Sequence, residues 1–145
     1  MMITRPLTCI AAASLCAGLA ACAAPGHDMK PQELSQKTVH YQCGSHGQQA
    51  LDVQYTFQGS DPVTAKLIYN NQAIDLTRDT GSKTDMVGDT FAGNGYTWAT
   101  EKFSREDTSH ANGSMLTQDT QQPGASGQNA SVTHNILAKD CKVTG

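Results

Sequence analysis

Cys43-Gly44-Ser45-His46 sets a thiol and an imidazole at a spacing that could grip one zinc ion, and Cys141 offers a second sulfur. A fourth ligand is not evident, and the same two thiols could instead close a disulfide, so the compartment decides between them. The other histidines, His27, His40, His110 and His134, show no metal-box spacing, and no serine stands in a nucleophile-elbow pattern. Asp75, Asp79, Asp85, Asp89, Glu101, Glu106 and Asp107 could contain an acid and base pair, but they fall at predicted turns and strand ends, where carboxylates are ordinarily solvated. The expectation is a chain that is not an enzyme and holds no metal or cofactor. Contact chemistry is better supplied. Ser82, Lys83, Lys102, Ser104 and Arg105 lie in or beside predicted loops and could donate to a partner's carboxylates, with Tyr96 and the single tryptophan, Trp98, close by. Packing in the core or rim is the simpler role for Trp98.

The compartment is written at the start of the chain. Residues 1–5 end on Arg5, and residues 7–21 are apolar but too short to span a membrane, which is the pattern of a secretion signal over residues 1–21. Leu19-Ala20-Ala21-Cys22 looks like a bacterial lipobox, in which Cys22 would receive diacylglycerol through its nucleophilic thiol. Ala23 after it resembles lipoproteins sorted to the outer membrane of Gram-negative bacteria, on the periplasmic or the surface side. Residues 22–36 would then be the lipidated Cys and a flexible tether, whose 14 residues after Cys22 reach at most ~45 Å. Cys9 and Cys16 leave with the leader, so Cys43 and Cys141 remain, and an oxidising periplasm favours one disulfide between them.

The elements that must carry these residues are strands. Residues 38–43, 50–57, 63–69, 72–76, 86–91, 96–100 and 114–118 alternate apolar with polar side chains, and Gly44 to Gly47, Asn70-Asn71 and Gly93-Asn94-Gly95 read as hairpin turns. Residues 118–129 read as a polar loop. In residues 130–143 Val132, His134 and Ile136 share one parity and Leu137, Cys141 and Val143 the other, which a bulge near Ile136-Leu137 would reconcile. The whole predicts an all-β domain over residues 37–145: a small antiparallel barrel or sandwich of about eight strands, its N- and C-terminal strands joined by the disulfide. With a net charge of −3 and no Lys/Arg run, a nucleic-acid partner is excluded and a basic protein partner favoured.

Lys37-Thr38-Val39 leading into Tyr41-x-Cys43, then Val53-x-Tyr55-x-Phe57, Thr90-Phe91-x-Gly93-x-Gly95-Tyr96 and Lys139-Asp140-Cys141 together resemble the neisserial adhesin complex protein family, related in fold to the membrane-bound inhibitors of c-type lysozyme. The resemblance spans about residues 37–143. It implies an eight-stranded antiparallel barrel that inhibits host lysozyme, and for some relatives an adhesin role. The lipoprotein inhibitors typically carry Ser-Gly-x-x-Tyr and Trp-x-Lys-Gly. Here Gly81-Ser82-Lys83 reverses the first, and Trp98-Ala99-Thr100-Glu101-Lys102 displaces the lysine of the second and lacks its glycine. The alternative reading is an adhesin or small-ligand-binding barrel without an enzyme target.

If Cys22 carries the lipid, Cys22→Ser should move the protein from the membrane to the soluble fraction and abolish labelling by radioactive fatty acid. Unchanged partition would overturn the anchor.

Overall fold

Alternation with period two puts every second side chain on one face of a strand, and here that face closes on itself. The computed structural model describes residues 33–81, 88–122 and 131–145, all within the unit Pro31–Gly145. Eight strands, β1 (Leu34–Cys43), β2 (Gln49–Gln58), β3 (Asp61–Tyr69), β4 (Gln72–Asp79), β5 (Asp89–Gly93), β6 (Tyr96–Thr100), β7 (Gly113–Gln122) and β8 (Ser131–Val143), form an antiparallel closed barrel in sequence order. Asn70-Asn71 and Asn94-Gly95 turn their hairpins with positive φ at both residues, which asparagine and glycine tolerate best. A 3-10 helix, Thr108–His110, lies between β6 and β7.

The inward rows fill the barrel with side chains. Val39, Tyr41 and Cys43 of β1 and Leu51, Val53, Tyr55 and Phe57 of β2 meet Leu67, Leu76, Phe91, Trp98 and Leu116 from the strands opposite, all buried. The disulfide is formed between Cys43 and Cys141, 98 residues apart, and so neither thiol is left for zinc. It reinforces the seam where β1 meets β8, whose paired register is short: Tyr41 with Val143 and Gln42 with Lys142.

Several expectations change in detail. β1 begins at Leu34, inside the stretch read as tether, because its first residues pair with β2 from Tyr55 to Gln58. Pro62 is buried in place of Val63, since a register shift between Thr56 and Phe57 leaves Val63 as an extra residue. β4 runs on through Thr77 to Asp79, and β7 through Gln122, where a polar loop was expected, because each finds a partner strand. The expected bulge is present: Leu116 faces Ala138 while Thr117 faces Ile136, which makes Leu137 the extra residue. Residues 82–87 and 123–130 are outside the described residues, so the first two residues of the strand expected at 86–91 and the contact candidates Ser82 and Lys83 lie outside them, as do Cys22 and the leader; the described strand begins at Asp89.

The disulfide closes nearly the whole domain. Replacing Cys43 and Cys141 together by Ser should lower stability in urea unfolding by about 4–5 kcal/mol, the chain-entropy value for a loop of this size. A loss below about 1 kcal/mol would show that the barrel seam holds without it.

Candidate functional site

Segment 101–112 contains Lys102, Ser104 and Arg105, so three of the sequence candidates are together by chain continuity. What the sequence did not show is how firmly this segment is fixed to one end of the barrel. Phe103, an apolar residue alone among polar ones, turns inward and packs on Tyr55 (ring centroids 4.8 Å apart), Phe57 (6.1 Å) and Phe91 (6.4 Å). Its backbone N–H donates to Asp89 Oδ2 at 2.9 Å, and Arg78 Nη2 donates to Asp89 Oδ1 at 2.7 Å. The Asp89 side chain is fully buried, so both of its oxygens need such partners.

The far end of the segment is held from inside the barrel. Trp98 Nε1 donates to the Tyr55 hydroxyl at 2.8 Å, Tyr55 and Tyr41 hydroxyls are 3.0 Å apart, and Tyr41 donates to the Ala111 carbonyl at 3.1 Å. Because the Tyr41 proton is committed to Ala111, Tyr55 is the donor in the middle bond, and the chain of hydrogen bonds runs one way from indole to backbone. Trp98 also meets Tyr41 edge to face, with centroids 5.5 Å apart. Gly113 is a glycine for this reason: a Cβ there would overlap the Trp98 ring.

Between these two anchors the backbone is satisfied locally. Glu101 N–H donates to the Asn112 carbonyl at 3.0 Å and Asn112 N–H returns to Glu101 Oε2 at 3.0 Å, closing the base. Arg105 N–H donates to the Ser60 carbonyl at 3.0 Å, and Lys37 Nζ donates to the Arg105 carbonyl at 2.6 Å. Thr108, fully buried, donates its hydroxyl to the carbonyls of Ser104 and Arg105, each at 2.9 Å. A shallow depression of about 290 Å³ is lined by Glu101, Lys102, Phe103, Asp107, His110 and Ala111.

The cations here are interleaved with carboxylates. Arg105 Nη2 lies 3.1 Å from Glu106 Oε1, and Ser104 Oγ donates to Asp107 Oδ2 at 2.9 Å. The Glu106 carboxyl is held below its usual range chiefly by its own backbone N–H, with Arg105 and Ser104 adding to the effect. These donors must therefore exchange an intramolecular carboxylate for a partner's. Lys37, to which the sequence reading gave no role, adds a third cation to this end.

Two candidates are not at this site. Trp98 has no solvent exposure: it is a core residue, and its ring is what the barrel closes around. Tyr96 begins β6, whose last residue, Thr100, leads into segment 101–112, so it lies a strand length of about 13 Å away. Its hydroxyl accepts from Gln118 Nε2 at 3.0 Å.

The tyrosines give the site a pH limit. Burial pushes the Tyr41 hydroxyl up to about 12, against the lowering effect of the Tyr55 hydrogen bond, and burial raises Tyr55 well above its ordinary value, with Tyr41 adding to the rise. In the unfolded chain both ionise near pH ~10, so there the unfolded state sheds protons first and stability falls as pH rises from about 10 to 12. Urea unfolding should show constant tyrosine-dependent stability up to about pH 9 and a decline beyond it that is shallower in Tyr41→Phe. A wild-type decline no steeper than the variant's would contradict this.

The model of the ACP-like domain family, Nm-ACP, matches residues 37–143. No curated protein sequence matches the chain. The match runs from within β1 to the last residue of β8 and so takes in segment 101–112 with the anchors that hold it. The chain therefore belongs to the ACP-like domain family, whose members are like the Neisseria adhesin complex protein.

Proposed function

We propose that this protein is an exported, lipid-anchored binding protein of the outer membrane that inhibits host c-type lysozyme by occluding the active-site cleft, with no chemistry of its own. The observation that carries the reading is a segment of hydrogen-bond donors, Lys102, Ser104 and Arg105, fixed at both ends to a barrel of this family. A c-type lysozyme holds a protonated and an ionised carboxyl group at the bottom of its cleft. An inhibitor needs donors that reach them from a support already ordered, since ordering a loop on binding would consume the energy of the contact. The aromatic anchor at Phe103 and the hydrogen bonds at Ala111 and Ser60 supply that order. The net negative charge of the chain favours encounter with a basic enzyme while the segment's cations meet its carboxylates.

A second reading, an adhesin without an enzyme target, draws on the same family match. A small-ligand barrel is disfavoured, because Trp98, Tyr41, Tyr55, Phe57, Phe91 and Phe103 occupy the interior where a ligand would sit.

The test is lysozyme turbidity with the purified protein added. Inhibition should saturate at a one-to-one ratio, and Lys102→Ala or Arg105→Ala should weaken it by about 1.5–3 kcal/mol, the scale of a hydrogen bond to a charged group, with thermal stability nearly unchanged. Added salt should slow association more than it speeds dissociation. No inhibition at large molar excess over human or avian lysozyme would reject the reading in favour of the adhesin. Undiminished inhibition in both variants would reject these residues as the contact.

A further inference from the structure

β8 is longer than the barrel needs. Its first six residues, Ser131 to Ile136, are all exposed, on both faces of the strand. They pair with Thr117 to Gln122 of β7, and Asp119 and beyond have no partner on β6, which begins at Tyr96 opposite Gln118. A two-stranded ribbon thus projects past the barrel at the end opposite segment 101–112. Among the described residues β1 pairs with β8 only near its C-terminus, so the outer edge of Ser131–Ile136 carries no strand.

That edge lacks the usual protection. Ser131-Val132-Thr133-His134-Asn135-Ile136 contains no Lys, Arg, Asp, Glu or Pro, the residues that normally discourage strand addition, and Val132 and Ile136 are 51% and 60% exposed. Thr133 turns its carbonyl toward β7, where Thr120 Oγ1 donates to it at 3.4 Å. The alternation of an antiparallel ladder then turns the N–H and C=O groups of residues 132, 134 and 136 to the open side.

We propose that this edge pairs two copies of the chain into a two-fold dimer by antiparallel strand addition centred on His134. Self-pairing of a strand about a two-fold axis requires opposed residues to share a face, so the axis passes through a residue and not between two. Only with His134 on the axis does Val132 of one copy face Ile136 of the other, twice, giving two apolar cross-strand pairs where each copy alone leaves both side chains in water. Thr133 then faces Asn135, polar against polar, and the backbone groups left open by β7 are those that the second copy bonds. No other occupant is needed to match this pattern, since the edge complements itself. Six residues bury less than the roughly 800 Å² per partner of a standard interface, so the dimer is a weak one and is best trapped covalently.

Opposed residues of such a pair have Cα atoms about 5.5 Å apart, within the span of a disulfide. The full chain with Cys9, Cys16 and Cys22 replaced by Ser and carrying His134→Cys should therefore oxidise with copper phenanthroline to a covalent dimer at least about tenfold faster than the same chain carrying Thr77→Cys, an exposed position on β4, through the raised effective concentration. Adding Ile136→Lys should slow trapping by about tenfold, while the far-ultraviolet circular dichroism spectrum and melting temperature confirm that the barrel is intact. Equal rates for His134→Cys and Thr77→Cys would overturn the proposal. So would trapping that Ile136→Lys leaves unchanged in a folded protein, or an adduct whose mass is not twice that of the chain.

Discussion

A carboxylate sealed from water has to find its hydrogen bonds inside the protein, and Asp89 finds them on two separate elements. One oxygen takes Arg78 from β4 and the other takes the backbone of Phe103 beyond β6. Its own carbonyl accepts the Thr100 hydroxyl at 3.3 Å, and Gly88 before it lies so close to the Thr100 carbonyl that a Cβ would overlap that oxygen. Losing either partner would leave an uncompensated buried group, a penalty of several kcal/mol that the folded chain avoids by keeping all three elements together. The position of Phe103 follows, and with it the direction in which Lys102 and Ser104 leave the barrel.

The aromatic interior continues this constraint across the barrel. Phe103 completes a cluster with Tyr55, Phe57 and Phe91, and Tyr55 is also the middle member of the hydrogen-bonded chain from Trp98 to Ala111. One side chain on β2 therefore touches one anchor of segment 101–112, Phe103, directly and reaches the other, Ala111, through Tyr41. A segment so held loses little freedom on binding, which is the physical basis for assigning it the contact role. Arg105 is paired with Glu106 and Ser104 with Asp107, so specificity would come from which of these pairs a partner can replace.

Much of this fold was legible in residue order. The alternation in β2 and β6, the asparagine turns, the bulge beside Ile136 and the pairing of Cys43 with Cys141 each follow from local pattern or from compartment. The site was legible only as a run of donors. Asp89 looked like any carboxylate at a strand end because its partners, 11 and 14 residues away along the chain, become neighbours only through the sheet. Phe103 carried a signal that could have been used: a single aromatic in a polar stretch is more economically explained by insertion into a core than by exposure. Trp98 takes the simpler role of core packing and Tyr96 lies at the other end of β6, because an aromatic near a turn gives no sign of its burial or of which end of the barrel it serves. Val132 and Ile136 misled in the other direction, since their period suggested burial while the ribbon carries them past β6 into solvent.

Amide hydrogen exchange followed by NMR tests most directly the claim that the buried carboxylate fixes the contact segment. In the wild-type protein the Phe103 amide should exchange as slowly as amides of the central strands, such as that of Val53. In Asp89→Asn, where an NH₂ group replaces one acceptor, protection of Phe103 should fall by at least about tenfold more than that of Val53, the factor expected for loss of one charge-assisted hydrogen bond. A Phe103 amide that exchanges freely in the wild type, or that loses no more protection than Val53 in the variant, would contradict the account.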